Sequence, residues 1–167
     1  MTDSPWLKPD QLQAWMRLIA VVELLPGVLD SQLQHDAELT HFEYMVLAML
    51  SEVPERTLRM TALSLATNST LPRLSHVVRR LELRGYVTRA QSEADRRATN
   101  AHLTAAGWDK VVATAPGHVQ TARDYVIDVL SAEQIRQLDA IARQMLSRLD
   151  PDGNFNSVLD RPVGAEE

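Results

Sequence analysis

The sequence contains no cysteine. That excludes disulfides, thiolate zinc sites and cysteine redox sensing together, and it fits a reducing, cytoplasmic setting. Aromatic residues are only 5% of the chain, so aliphatic packing must dominate the core. No uninterrupted apolar run approaches ~18 residues, so no helix is expected to span a membrane. The opening MTDSPWLKPD has no basic stretch followed by an apolar one, and no signal peptide is expected. There is no glycine-rich phosphate loop and no nucleophile-elbow motif, so nucleotide-dependent and hydrolytic enzymes lack support. Nothing calls for a cofactor. His35, Asp36 and His41 come nearest to a metal cluster. Their spacing crosses a predicted helix boundary without a fourth ligand, so no metal is expected.

What is present suits one domain. The chain has 167 residues, 45% hydrophobic and 23% charged, enough to bury a real core. Its net charge of -5 hides an asymmetry. Between Arg56 and Leu103 stand nine arginines and three acids, a local charge of +6 that leaves -11 for the remainder. A basic middle in an acidic body suggests a polyanionic partner, or else a solvated arginine-rich surface.

Hydrophobic periodicity predicts a mainly helical protein. Leu12, Trp15, Ile19, Val22, Leu29 and Leu33 mark a helix over about 10–36, with a kink or break expected at Pro26-Gly27. Thr40 and Glu43 form a capping box for a second helix, with Leu39 and Tyr44 as its hydrophobic staple, ending near Pro54. RMTALSLAT reads as a short amphipathic helix with Thr61 as its cap. After the turn NST, the segment LPRLSHVVRRLELRG reads as a helix capped by Ser69 or Thr70 and closed by Gly85. YVTRA and ATNAHLT read as a two-stranded hairpin around QSEADRR. Trp108, Val112, Ala115, Val119, Ala122, Val126 and Val129 repeat at 4-3 spacing, predicting a long helix from Thr104 to about Leu130, bent at Pro116-Gly117. Ser131 with Gln134 caps a last helix, and residues 150–167 are expected to be a mobile tail.

The order is that of a helix-turn-helix with a two-stranded wing, held between long helices. On the helix after NST, Leu74, Val77, Val78 and Leu81 gather on one side. Arg73, His76, Arg80 and Arg84 gather on another, by the 3.6-residue period. Ser69, Thr70 and Arg73 stand at the N-terminal end that enters a major groove in such proteins. At the hairpin tip, Arg96 and Arg97 can reach the flanking minor groove. Asp95, two residues before Arg97, is expected to pair with its guanidinium and orient it.

Three motifs in order carry a resemblance. They are Leu81-Glu82-Leu83-Arg84-Gly85-Tyr86-Val87, the wing Asp95-Arg96-Arg97, and Leu103-Thr104-Ala105-Ala106-Gly107. Together they resemble the MarR family of bacterial transcription regulators, over about residues 10–149. The resemblance implies a winged helix lobe over about 39–104, flanked by dimerisation helices at about 10–36 and 105–149. It implies a cytoplasmic homodimer that binds a double-stranded DNA operator, with no membrane partner. Asp95 becomes the wing's ion-pairing acid, Arg97 its minor-groove arginine and Arg96 a phosphate contact; Ser69, Thr70, Arg73, His76 and Arg80 complete the DNA-binding set. It also implies a cleft that takes small aromatic or anionic effectors. Trp15, His41, Tyr44, Met45 and Trp108 come from helices that would line it, although each also suits an ordinary core. Leu63-Ser64 stands where the family often has Leu-Ala, and Asn68 where it often has glycine. Two other readings remain at this stage: a winged helix used only for protein contact, and a small-molecule-binding helical protein without a DNA role.

Overall fold

The computed structural model describes residues 6–92 and 95–155. Its elements run α1 (Pro9–Ala37), α2 (His41–Ser51), β1 (Thr57–Arg59), α3 (Met60–Ala66), α4 (Leu71–Leu83), β2 (Val87–Gln91), β3 (Thr99–Leu103), α5 (Ala105–Ala122) and α6 (Ala132–Leu149). The fold is mainly helical, a winged helix-turn-helix, as expected. The wing is one strand richer than the sequence suggested. β1 pairs antiparallel with β3 through Leu58 and Ala101, giving the order β1-β3-β2. A three-residue strand is too short to show an alternation.

The core lies beneath the helix-turn-helix. Leu39, Val46, Leu47, Leu50, Leu63, Leu74, Val78, Leu81, Val87 and Leu103 are all at most 1% exposed. Leu39 and Tyr44 both join this cluster, as a staple requires. The capping box of α2 forms: Glu43 N–H donates to Thr40 Oγ1 at 3.1 Å, and Thr40 N–H donates back to Glu43 Oε2 at 2.8 Å. The box at Ser131 and Gln134 forms likewise. Asn68 takes the left-handed turn at φ 45°, and Gly85 closes α4 at φ 77°.

Several boundaries differ from expectation. Helix α1 runs unbroken through Pro26. The missing amide leaves only the Val22 carbonyl without its helical donor, and this stretch of α1 is exposed, where water can serve it. Because the two apolar stretches join, α1 holds an 18-residue window of mean hydropathy 1.5. By length and composition it therefore could cross a membrane, contrary to the reading of short apolar runs. Helix α3 is capped by Arg59, without a side-chain bond, and Thr61 lies inside it. Thr70 rather than Ser69 caps α4, through its backbone alone. Helix α5 ends at Ala122 instead of near Leu130 and widens into a π turn over Arg123–Ile127. An ion pair of 3.0 Å between Arg123 and Asp128 clamps that wider i,i+5 turn. Of the expected mobile tail, residues 156–167 lie outside the described residues, as does part of the wing loop, Glu93 and Ala94.

The Leu-Thr-x-x-Gly motif has a mechanical role. Thr104 caps α5 by accepting the Gly107 N–H at 3.0 Å, and its hydroxyl donates to the Gly85 carbonyl at 2.7 Å. This ties the start of α5 to the turn that ends α4. Gly107 is there for space: a Cβ would overlap the Tyr86 carbonyl and come within 2.6 Å of Leu103 Cδ1. The Gly107→Ala variant is therefore expected to lose ~3 kcal/mol in urea unfolding, the upper end of ordinary overpacking. A loss below ~1 kcal/mol would show that α5 can slide away from the turn at little cost.

Candidate nucleic-acid interface

Helix α4 has four faces. Leu74, Val77, Val78 and Leu81 enter the core. Pro72, His76, Arg79 and Leu83, at 4-3-4 spacing, form an exposed ridge. Neither His76 nor Arg79 has a hydrogen-bond or ion-pair partner among the described residues. Of the basic stripe expected from the sequence, His76 belongs to this ridge, while Arg73, Arg80 and Arg84 lie on its flank. Arg73 lies over the Phe42 ring at 4.4 Å, Arg80 pairs with Glu43 at 3.0 Å, and Arg84 donates to the Glu38 carbonyl at 2.7 Å. Arg79 was missed as a site residue because a wheel drawn through Arg73 and Arg80 leaves it at the margin. Only the position of α2 shows which side faces outward.

The opposite flank of α4 holds the wing. Arg89 on β2 pairs with Glu82 at 2.6 Å and reaches Ser75 Oγ at 3.4 Å. Between wing and helix lies a cleft of about 410 Å³ lined by Arg59, Pro72, Ser75, Arg89 and Arg97 among others. At the N-terminal end of α4, Ser69 Oγ is 3.0 Å from Thr67 Oγ1, while Thr70 is exposed with no cap bond from its side chain.

The wing tip corrects one expectation. Asp95 accepts the backbone N–H of Arg97 at 3.0 Å, and its own carbonyl accepts the N–H of Ala98 at 2.9 Å. No ion pair joins Asp95 to the Arg97 guanidinium among the described residues. An aspartate at the first position of a tight turn bonds the amide two residues on, closing an Asx turn that mimics a backbone turn. The acid therefore shapes the turn, and both Arg96 and Arg97 side chains are left exposed.

The residues considered for an effector cleft divide. His41 and Tyr44 come together around His118 of α5, which sequence reasoning did not single out. The His41 and His118 ring centres are 6.1 Å apart and those of Tyr44 and His118 4.7 Å. Burial lowers the His41 pKa against the opposing Asp30 carboxylate; burial, reinforced by His41, lowers that of His118. Gln32 Oε1 and His118 Nδ1 are buried without hydrogen-bond partners. Trp108 sits instead under the Arg56 guanidinium at 3.9 Å. Met45 is half-buried on α2, and Trp15 is 50% exposed on α1. Among the described residues no three histidine, aspartate or glutamate side chains are grouped to hold a metal.

Comparison with known proteins agrees with this geometry. The model of the MarR family matches residues 38–98. The chain is 29% identical over 117 residues to the transcriptional repressor MprA of Escherichia coli K12, a match over 70% of this chain and 66% of the repressor's length. Sco3205, a MarR family transcriptional regulator from Streptomyces coelicolor solved in complex with DNA, aligns at TM-score 0.85 and 40% identity. That alignment covers 90% of this chain and 94% of Sco3205. AbsC, a MarR family transcriptional regulator from the same organism, aligns at TM-score 0.82 and 34% identity, over 87% of this chain and 98% of AbsC.

Two outcomes follow from the site. Asp95→Asn keeps an acceptor for the Arg97 amide, whereas Asp95→Ala removes a bond worth ~0.5–1.5 kcal/mol. Amide hydrogen exchange at Arg97 should quicken in the alanine variant and change little in the asparagine variant. Equal acceleration in both would restore the ion-pair reading. For the histidines, a folded pKa below the unfolded value of ~6.5 means that the unfolded chain binds protons first as pH falls. Stability should be level above that value and decline below it, down to the folded pKa. Melting temperatures from pH 7.5 to 5 should fall less steeply in His118→Phe, and an unchanged slope would exclude His118 as a contributor.

Proposed function

The chain belongs to the MarR family of transcriptional regulators, and we propose that it acts as a homodimeric, ligand-responsive repressor of a pseudo-palindromic operator. It is a DNA-binding regulator and not an enzyme. The observation that carries the reading is the exposed ridge of α4. His76 and Arg79 are free there, Thr70 stands at its open end, and Arg96 and Arg97 project from the wing beside it. Arg79 is the side chain placed for a base edge, and arginine reads guanine bidentately. Ser69 and Thr70 serve phosphates or neighbouring bases, and Arg96 and Arg97 serve phosphate and minor groove.

Dimerisation is supported by apolar surface left outside the core. Trp15, Met16, Val21, Val22 and Leu24 of α1 are exposed, as are Leu138, Ile141 and Leu149 of α6. A second copy covers these faces, with 10–36 and 105–149 as the dimerisation helices and 39–104 as the DNA lobe. Twofold symmetry then sets two α4 helices about 34–36 Å apart on successive major grooves, which calls for a pseudo-palindrome. Repression is supported by the likeness to a transcriptional repressor. Ligand response is supported by the junction of α1, α2 and α5, where Gln32 Oε1 and His118 Nδ1 want partners. Asp30 and Asp36 lie on the same stretch of α1, which favours a neutral aromatic ligand over an anionic one.

The test is sedimentation of the full chain, alone and with a duplex that it has selected from random sequence. A dimer at micromolar concentration, and one dimer per duplex, are expected. Arg79→Ala should weaken the selected duplex by ~1–3 kcal/mol per half-site. A well-folded monomer, or no duplex selected, would overturn the reading.

A further inference from the structure

We infer that Arg80 is a positioning residue rather than a DNA contact: through Glu43 it fixes the rotation of α4, and that rotation decides operator specificity. The inference rests on the DNA-binding reading above. Glu43 is 1% exposed, yet it sits at the start of α2 and not in a polar cluster of its own. One carboxylate oxygen is taken up by Thr40, whose N–H and hydroxyl donate at 2.8 and 3.1 Å. The other faces Arg80 Nη2 at 3.0 Å, an ion pair whose angle does not make a hydrogen bond, so the guanidinium balances it through charge. A buried carboxylate needs a compensating charge, and Arg80 supplies it.

The neighbours of Arg80 on the same flank do the same mechanical work. Arg73, Arg80 and Arg84 lie seven and four residues apart, one side of a helix. They engage Phe42, Glu43 and the Glu38 carbonyl, three successive points on the corner between α1 and α2. Rolling α4 about its axis would break all three contacts. The ridge of His76 and Arg79, centred about a quarter of a turn from this flank, takes its direction from them. A guanidinium held to a buried acid is also poorly placed to neutralise a phosphate, since leaving would strand that acid.

Glu43 cannot touch DNA, and this separates the alternatives. The full chain is compared with Arg80→Met, Glu43→Gln and the double variant, on a duplex selected by the wild type and on one random duplex. Both are measured across a salt series. For a positioning residue, both single variants lower affinity for the selected duplex at least tenfold. Each leaves the random duplex and its salt slope unchanged, and the double variant is no worse than the poorer single. A phosphate contact predicts that Arg80→Met weakens both duplexes and lowers the slope by ~0.9. It also predicts that Glu43→Gln has no effect, and either result overturns the inference. Glu43→Gln keeps its acceptor for Thr40, so it carries the test even if Arg80→Met does not fold. Failure of the wild type to select any duplex would instead overturn the DNA-binding reading itself.

Discussion

One buried carboxylate organises this lobe. Glu43 has almost no solvent contact, so its charge must be balanced within the protein. Oε2 accepts from the backbone N–H and hydroxyl of Thr40, while Oε1, which makes no hydrogen bond, is balanced by the charge of the Arg80 guanidinium at 3.0 Å. The first partner starts α2, and the second fastens α4 across it. The corner between α1 and α2 is thus fixed by the same side chain that holds α4. Asp30 adds a second tie, accepting the His41 N–H at 2.8 Å from α1. Helix α2, the corner and helix α4 form one mechanical unit because a charge cannot be left bare inside it.

The same economy governs the arginines. As a sequence, the middle of the chain is a block of positive charge. As a structure, most of that charge is already engaged. Arg56 covers Trp108, Arg73 covers Phe42, Arg80 answers Glu43, Arg84 meets the Glu38 carbonyl, and Arg89 locks the wing to Glu82. Arg79, Arg96 and Arg97 keep exposed side chains with no partner among the described residues. A basic stretch therefore contains two populations, one that holds the lobe together and one left exposed to solvent.

Local chemistry was legible in the sequence where the cause was local. The capping boxes at Thr40 and Ser131, the left-handed turns at Asn68 and Gly85, and the wing order all follow from interactions spanning a few residues. What escaped depends on partners distant in the chain. The strand Thr57–Arg59 exists only because β3, more than forty residues on, is there to pair with it. His118 joins His41 and Tyr44 only once α5 is laid across α2. The role of Asp95 was misread for a subtler reason: an aspartate two residues before an arginine suits an ion pair and an amide-bonded turn equally well. Backbone geometry, which sequence does not print, chose the turn. Pro26 was overrated as a breaker because a single lost bond is cheap on a helix face open to water.

The long apolar helix α1 bears on how the protein responds to its own abundance. A lone subunit would present a face as oily as a membrane segment to water, and to every other unfolded or half-folded chain nearby. Such a subunit would be short-lived, so pairing of the kind proposed above would be completed close to synthesis. Operators would then meet ready-made pairs at all working concentrations. Occupancy of a site would rise in simple proportion to the amount of protein, without the squared dependence of a loosely associating pair. A doubling of expression would produce a graded change in output, and thresholds, where the cell needs them, would have to come from the signal rather than from assembly.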